Sequence, residues 1–222
     1  MIRLTAARLL SSMRRAPHAL VVPLVVGASL LLSAPPAAAQ DAIFKLDPAS
    51  RNVVDLVMDS AMAAGLPNRS IFSRALEGIA KKASNRQIVD AVRRRLVSLR
   101  TARARLGGVS DDELEAAASV LEAGAKPEEL ARFRARPQGR TQLEAFTVWA
   151  DFLARGVPKD EAFSAINKLW QDGADDAIFH SLWNNVQSDI LQGLSPGTAL
   201  QNRIRETPQR ATASAGKPPE GP

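Results

Sequence analysis

The chain has 222 residues, with 29 basic and 23 acidic side chains, no cysteine, no tyrosine and two histidines. Absence of cysteine excludes disulfides, a thiol nucleophile, cysteine–metal sites and a lipoprotein anchor. His18 lies in the N-terminal segment, so His180 is the single imidazole of the rest, too few for a His-based metal site and a thin basis for a catalytic triad.

The first 39 residues read as a secretory signal peptide. Arg3, Arg8, Arg14 and Arg15 come without an acidic residue, Ala19 to Leu32 is apolar, and Ala37-Ala38-Ala39 forms a small-residue cleavage site before Gln40. The apolar run is about fourteen residues and contains Pro23 and Gly27, against the roughly twenty that a membrane span needs. An uncleaved N-terminal anchor is the competing reading, and Arg14-Arg15 also fits a twin-arginine signal. Cleavage after Ala39 would deliver a periplasmic or secreted product. Without the four leader arginines, 25 basic and 23 acidic side chains remain, a net charge of +2. Residues 40–47 are expected to be a flexible mature N-terminus.

From residue 48 the apolar residues keep a helical period, and helices are expected near 48–64, 69–82, 85–106, 111–123, 127–136, 142–155, 159–172, 176–192 and 197–205. Asp47-Pro48 opens the first with a cap and a proline at the first helical position. Ser84-x-x-Gln87 and Ser110-x-x-Glu113 are capping boxes for the third and fourth, and Thr141-x-x-Glu144 is one for the sixth. Glu128-Glu129 and Asp160-Glu161 put negative charge into first turns, where the helix dipole favours it, and Ser195-Pro196 opens the last helix. Residues 207–222, rich in Pro, Gly and Ala, are expected to be a disordered tail.

Glycine followed by an apolar residue and then by a polar residue or proline separates these segments. It occurs at Gly65-Leu66-Pro67, Gly108-Val109-Ser110, Gly124-Ala125-Lys126, Gly156-Val157-Pro158, Gly173-Ala174-Asp175 and Gly193-Leu194-Ser195, with Gly139-Arg140-Thr141 as a variant. Each marks one helix ending and another starting. The expected fold is therefore all-α over 48–206: about nine short antiparallel helices arranged as helical hairpins, either an irregular α-solenoid or a compact bundle. Gly124 to Gly156 and Gly139 to Gly173 match the period of helical-hairpin repeats, while the other spacings are uneven.

Charge is distributed unevenly. Residues 69–105 carry +9, whereas 141–200 carry −5. Lys81, Lys82, Arg86, Arg93, Arg94, Arg95, Arg100 and Arg103 make the candidate binding set, a basic helical ridge suited to an acidic protein or an anionic envelope component, with self-association as a further possibility. Nucleic acid is not expected, because export would separate the chain from it and aromatic residues to stack bases are scarce on these helices. The bland alternative is a solvated Arg-rich face.

Trp149, Trp170, Trp183, Phe133, Phe146, Phe152, Phe163 and Phe179 sit at core spacing, with a ligand groove as the sharper reading. His180 is expected to be a half-buried helix residue. The sequence therefore points to a non-catalytic binding or scaffold protein of the bacterial envelope, with no catalytic residue, metal or cofactor assigned. The alternative is an envelope polymer-acting enzyme, hydrolysing peptidoglycan or another glycan through paired carboxylates of the acidic half. Asp111-Asp112-Glu113, Glu128-Glu129, Asp160-Glu161 and Asp175-Asp176 all fall at helix starts, where capping already accounts for them.

Overall fold

The computed structural model describes residues 43–133 and 140–206. The expected leader (1–39), the tail (207–222) and Gly139 of the variant stop lie outside the described residues. Among those residues the chain is all-helical, with nine α-helices and no strand. They are α1 (Pro48–Ala63), α2 (Arg69–Ala80), α3 (Asn85–Leu106), α4 (Asp111–Glu122), α5 (Pro127–Ala131), α6 (Leu143–Ala154), α7 (Lys159–Gln171), α8 (Asp176–Leu191) and α9 (Pro196–Glu206). None of them is long and apolar enough to cross a membrane. From Ile43 onward the segment expected to be flexible packs on the domain: Ile43 and Leu46 are buried, and Arg51 donates to the carbonyls of Phe44 and Leu46 at 3.2 Å.

Helix starts follow local chemistry at most positions. Asp47 accepts from Ser50 N–H at 2.8 Å, and Asp175 accepts from Ile178 N–H at 2.9 Å. The capping boxes at Ser84 and Ser110 both form. Thr141 departs from expectation. Helix α6 starts one residue later, with Gln142 at its N-cap, and Thr141 Oγ1 accepts from Leu143 N–H at 3.1 Å instead of capping Glu144. Gln142 is wholly buried, its amide donates to the carbonyl of Phe133, and its backbone N–H donates to Glu113 Oε1 of α4 at 2.8 Å. A carboxylate from a neighbouring helix thus replaces the local box.

Helix ends explain the recurrent glycine. Leu66 N–H donates to the carbonyl of Ala61 at 2.9 Å and Gly65 N–H to that of Met62 at 3.0 Å, the paired bonds of a Schellman stop. The same pair recurs around Gly124, Gly156, Gly173 and Gly193, and around Lys82, which adopts the left-handed φ of 54° as a non-glycine residue. The apolar residue after the stop turns back onto the core, so Leu66, Val157 and Ala174 are buried. At the end of α3 the left-handed residue is Gly107, with φ 77°, one position before the expected Gly108. Helix α5 ends at Ala131, earlier than the expected 136, and 134–139 lie outside the described residues.

Among the described residues, substantial helix packing joins near neighbours in chain order. Helix α3 packs on α1, α2, α4 and α5; α6 packs on α4, α7 and α8; α9 packs on α7 and α8. One glycine serves this packing directly: a Cβ at Gly78 of α2 would stand 2.6 Å from Ile88 Cγ1 of α3, so the bare α2 backbone seats the Ile88 side chain there. On the other side of α4, Phe133, Phe146, Phe152, Trp149 and Phe179 are among the largest wholly buried side chains and form an aromatic core.

Candidate functional site

Helix α3 supplies most of the predicted site residues, and its pitch decides their fates. Its buried face is Ile88, Val92, Arg95, Leu99, Ala102 and Leu106, spaced alternately four and three residues apart. The opposite face carries Arg86, Arg93 and Arg100, seven residues apart and all exposed. Two turns of helix separate successive members, so they form one line along the outer surface. Val97 lies on that surface too, 61% exposed.

Arg95 is a correction to the predicted ridge, because its side chain is only 5% exposed. Its Nε donates to Ser70 Oγ at 3.1 Å, Nη1 to Ser119 Oγ at 3.1 Å, and Nη2 to the carbonyl of Glu115 at 3.0 Å. Nη1 also lies 3.5 Å from Glu122 Oε1. One guanidinium thus joins α2, α3 and α4, using the five-donor fork that lysine lacks. Burial lowers its pKa from the usual arginine value, and Glu122 opposes that shift. The spacing contained the signal: Arg95 lies three residues after Val92 and four before Leu99, on the apolar stripe itself.

The other seven separate into two groups. Arg103 is half-buried, donates to the carbonyls of Gly107 at 3.3 Å and Val109 at 3.2 Å, and holds the α3–α4 link. Arg100 donates to Ser60 of α1 at 2.7 Å, Lys81 pairs with Glu77 within the α2 end, and Arg86 lies 4.0 Å from Asp90. The Lys81 hydrogen bond is the main influence holding the Glu77 carboxyl below its usual range, with Arg74 assisting. Lys82, Arg93 and Arg94 are exposed and have no ion pair among the described residues. Exposed pairs such as Arg86–Asp90 contribute little to stability, so these side chains can exchange partners at small cost.

Arg93 and Arg94 border an open depression of about 670 Å³ whose walls also include Asp90, Val97 and Ser98 of α3, Arg74 of α2, and Leu121 and Glu122 of α4. Arg74 is held on that wall by Glu77 at 2.9 Å and by Glu122. Glu122 therefore faces Arg74 and the buried Arg95 together. Three arginines and two carboxylates line the depression, so Arg93 and Arg94, which have no ion pair among the described residues, are the groups it offers to an anion or an acidic side chain.

The carboxylates considered for catalysis have other employment where contacts identify it. Glu113 caps α4 and α6, Asp175 caps α8, and Glu129 Oε2 accepts from Lys126 N–H at 2.7 Å. Asp189 of α8 receives two hydrogen bonds from Arg203 of α9, at 2.7 and 2.6 Å. Among the described residues, no group of three or more His, Cys, Asp or Glu side chains could hold a metal ion.

His180 is more exposed than expected: its side chain is 64% exposed, its Nδ1 lies 3.6 Å from Glu144 Oε1, and its ring stacks against Trp183. The aromatic groove does not form. Phe133 contacts Phe146, Trp149 and Trp170 with ring centroids 5.3 to 5.9 Å apart, and all four are buried. Compared with protein-family models, with curated proteins and with solved structures, the chain finds no match.

Proposed function

We propose that this chain is an exported, non-catalytic binding or scaffold protein of the bacterial envelope that engages an acidic partner through the outer face of α3. The contact comprises Arg86, Arg93, Arg94 and Arg100, extended by Lys81 and Lys82 at the end of α2. Arg95 and Arg103 support this surface from within rather than touching the partner. The observation that carries the reading is the pair Arg93–Arg94: two adjacent exposed guanidinium groups beside an open depression, with no ion pair among the described residues. Aligned like charges raise local potential and recruit opposite charge from a distance.

The scaffold is read as helical hairpins in an irregular α-solenoid, supported by packing that joins helices no more than two places apart in chain order. Export with cleavage after Ala39 rests on the leader pattern, and sequencing the N-terminus of the protein from cells checks it by returning Gln40. The functional test is in-cell photo-crosslinking from position 97, followed by charge reversal at Arg93 and Arg94. Capture of an acidic partner that disappears in the Arg93→Glu, Arg94→Glu variant, and weakens with salt, is the expected result. Undiminished capture by that variant would remove the ridge from the function.

A further inference from the structure

We propose that the acidic surface meeting the α3 ridge is α1 of a second copy of this chain, in a two-fold symmetric pair. This rests on the reading above, that the exposed arginines of α3 are a contact for an acidic partner. Helix α1 turns Asp55 and Asp59 outward, both exposed and without an ion pair among the described residues. Beside them Leu56 is 58% exposed and Met62 54% exposed. Thus α1 presents acidic and apolar groups on its outer face, while α3 presents basic groups around Val97.

The two helices run side by side and parallel. Asp47 accepts from Asn85, Ser60 from Arg100 and the Gly65 carbonyl from Arg103, partners 38, 40 and 38 residues apart in sequence. A residue of α1 therefore stands level with the α3 residue numbered 38 to 40 higher. A two-fold axis lying in the contact plane and running along the helices leaves height unchanged while exchanging α1 for α3. Under that operation Asp55 of one copy comes level with 93–95 of the other, and Asp59 with 97–99.

Asp55 thereby meets Arg93, Asp59 meets Arg100, and Leu56 falls within about a turn of Val97. Two acidic groups, two basic groups and the apolar residues between them match in register, and symmetry makes every contact twice. The sixteen-residue α1 is about 24 Å long. Two helices abreast then offer roughly 500 Å² per copy, a contact of about 1,000 Å² in all, at the lower limit for a specific interface. A weak, salt-sensitive dimer is the expected consequence.

The experiment is sedimentation of the protein isolated from cells, with two charge-reversed variants measured separately and mixed. Wild type is expected to dimerise at tens of micromolar in low salt, its Kd weakening at least about tenfold in ~0.3 M salt. Arg93→Glu with Arg100→Glu sets acid against acid, and Asp55→Lys with Asp59→Lys sets base against base; each variant alone should be monomeric. Their mixture sets the native Asp55 and Asp59 of one variant against the native Arg93 and Arg100 of the other, and the introduced glutamates against the introduced lysines; it should form a heterodimer, which also shows that both variants are folded. A monomeric wild type at about 1 mM, self-association of either variant, or a mixture that stays monomeric would overturn the proposal. Binding of poly-glutamate, measured on an Asp55→Asn, Asp59→Asn variant that adds no basic group, separates the two readings. Retained binding with a monomeric wild type rejects only the dimer, whereas loss of both rejects the α3 contact as well.

Discussion

Glu113 Oε1 accepts a 2.8 Å hydrogen bond from the backbone N–H of Gln142, while Oε2 accepts from Ser110 N–H at 3.1 Å. One buried carboxylate therefore serves the first turn of α4 and the start of α6. Glu113→Ala is expected to cost about 2–3 kcal/mol, a lost cap together with a buried N–H left unsatisfied. Glu113→Gln should lose about half as much. Urea denaturation of the two variants provides the comparison.

Arg95 is held by Ser70, Ser119, the Glu115 carbonyl and Glu122. Arg95→Met strands those polar partners and should cost about 2–4 kcal/mol. Adding Glu122→Leu should cost less in the Arg95→Met background than alone, because its contact with Arg95 is already gone and only its pair with Arg74 is lost. A double-mutant cycle by chemical denaturation measures the coupling. Binding through the exposed arginines should be unchanged by Arg95→Met in protein that has folded, as befits a residue that supports the ridge from beneath.

Gly78 permits α2 to approach Ile88 of α3, since an added Cβ would sit 2.6 Å from Ile88 Cγ1. Alanine raises helix propensity by about 1 kcal/mol over glycine, but overpacking a buried contact costs about 1–3 kcal/mol. Gly78→Ala should therefore destabilise. Pairing it with Ile88→Val should cost less than the sum of the two single changes, which thermal unfolding would reveal.

Lys82 occupies a helix-stop position with φ 54°, where a side chain is disfavoured and glycine is not. Lys82→Gly is expected to stabilise by about 0.5–1 kcal/mol, and Lys82→Val to destabilise. A lower Tm for the glycine variant would mean that the lysine side chain makes a contact worth more than the backbone strain.

Asp189 is held below the ordinary aspartate value of 3.8, chiefly by its hydrogen bonds from Arg203, with burial opposing. Unfolding raises that pKa, so near and below 3.8 the unfolded chain binds the proton more readily. The resulting stabilisation is full above that value and is lost as pH falls through the lower, folded one. Asp189→Asn should lower stability at about pH 7, and the gap from wild type should narrow towards about pH 2.5. Thermal melts across that range check the sign.

The helix ends were readable because a Schellman stop is a local event: one residue tolerant of positive φ, then an apolar residue that folds back. Ser84 and Ser110 were readable for the same reason, since hydroxyl and carboxylate or amide lie three residues apart on one chain segment. Thr141 was not, because its competitor, Glu113, arrives from α4, 29 residues before the Gln142 N–H that it accepts. Three consecutive arginines share a composition and differ only in angle. Arg93 and Arg94 point outward while Arg95 occupies the apolar stripe, and weighing the four-three spacing above residue type would have placed it. The parallel register of α1 and α3 depends on contacts that no sequence window contains.

Packing confined to near neighbours also affects how the chain reaches and leaves its folded state. Contacts close in sequence require only short loops to close, so assembly can proceed helix by helix without waiting for distant segments to meet. Among the described residues, the first and last helices, α1 and α9, pack only on helices to one side in chain order and should open first, leaving the middle protected longest against hydrogen exchange. Helix α3, with four packing partners, then acts as a folding centre: the segment that displays the exposed arginines would be among the last to lose its shape.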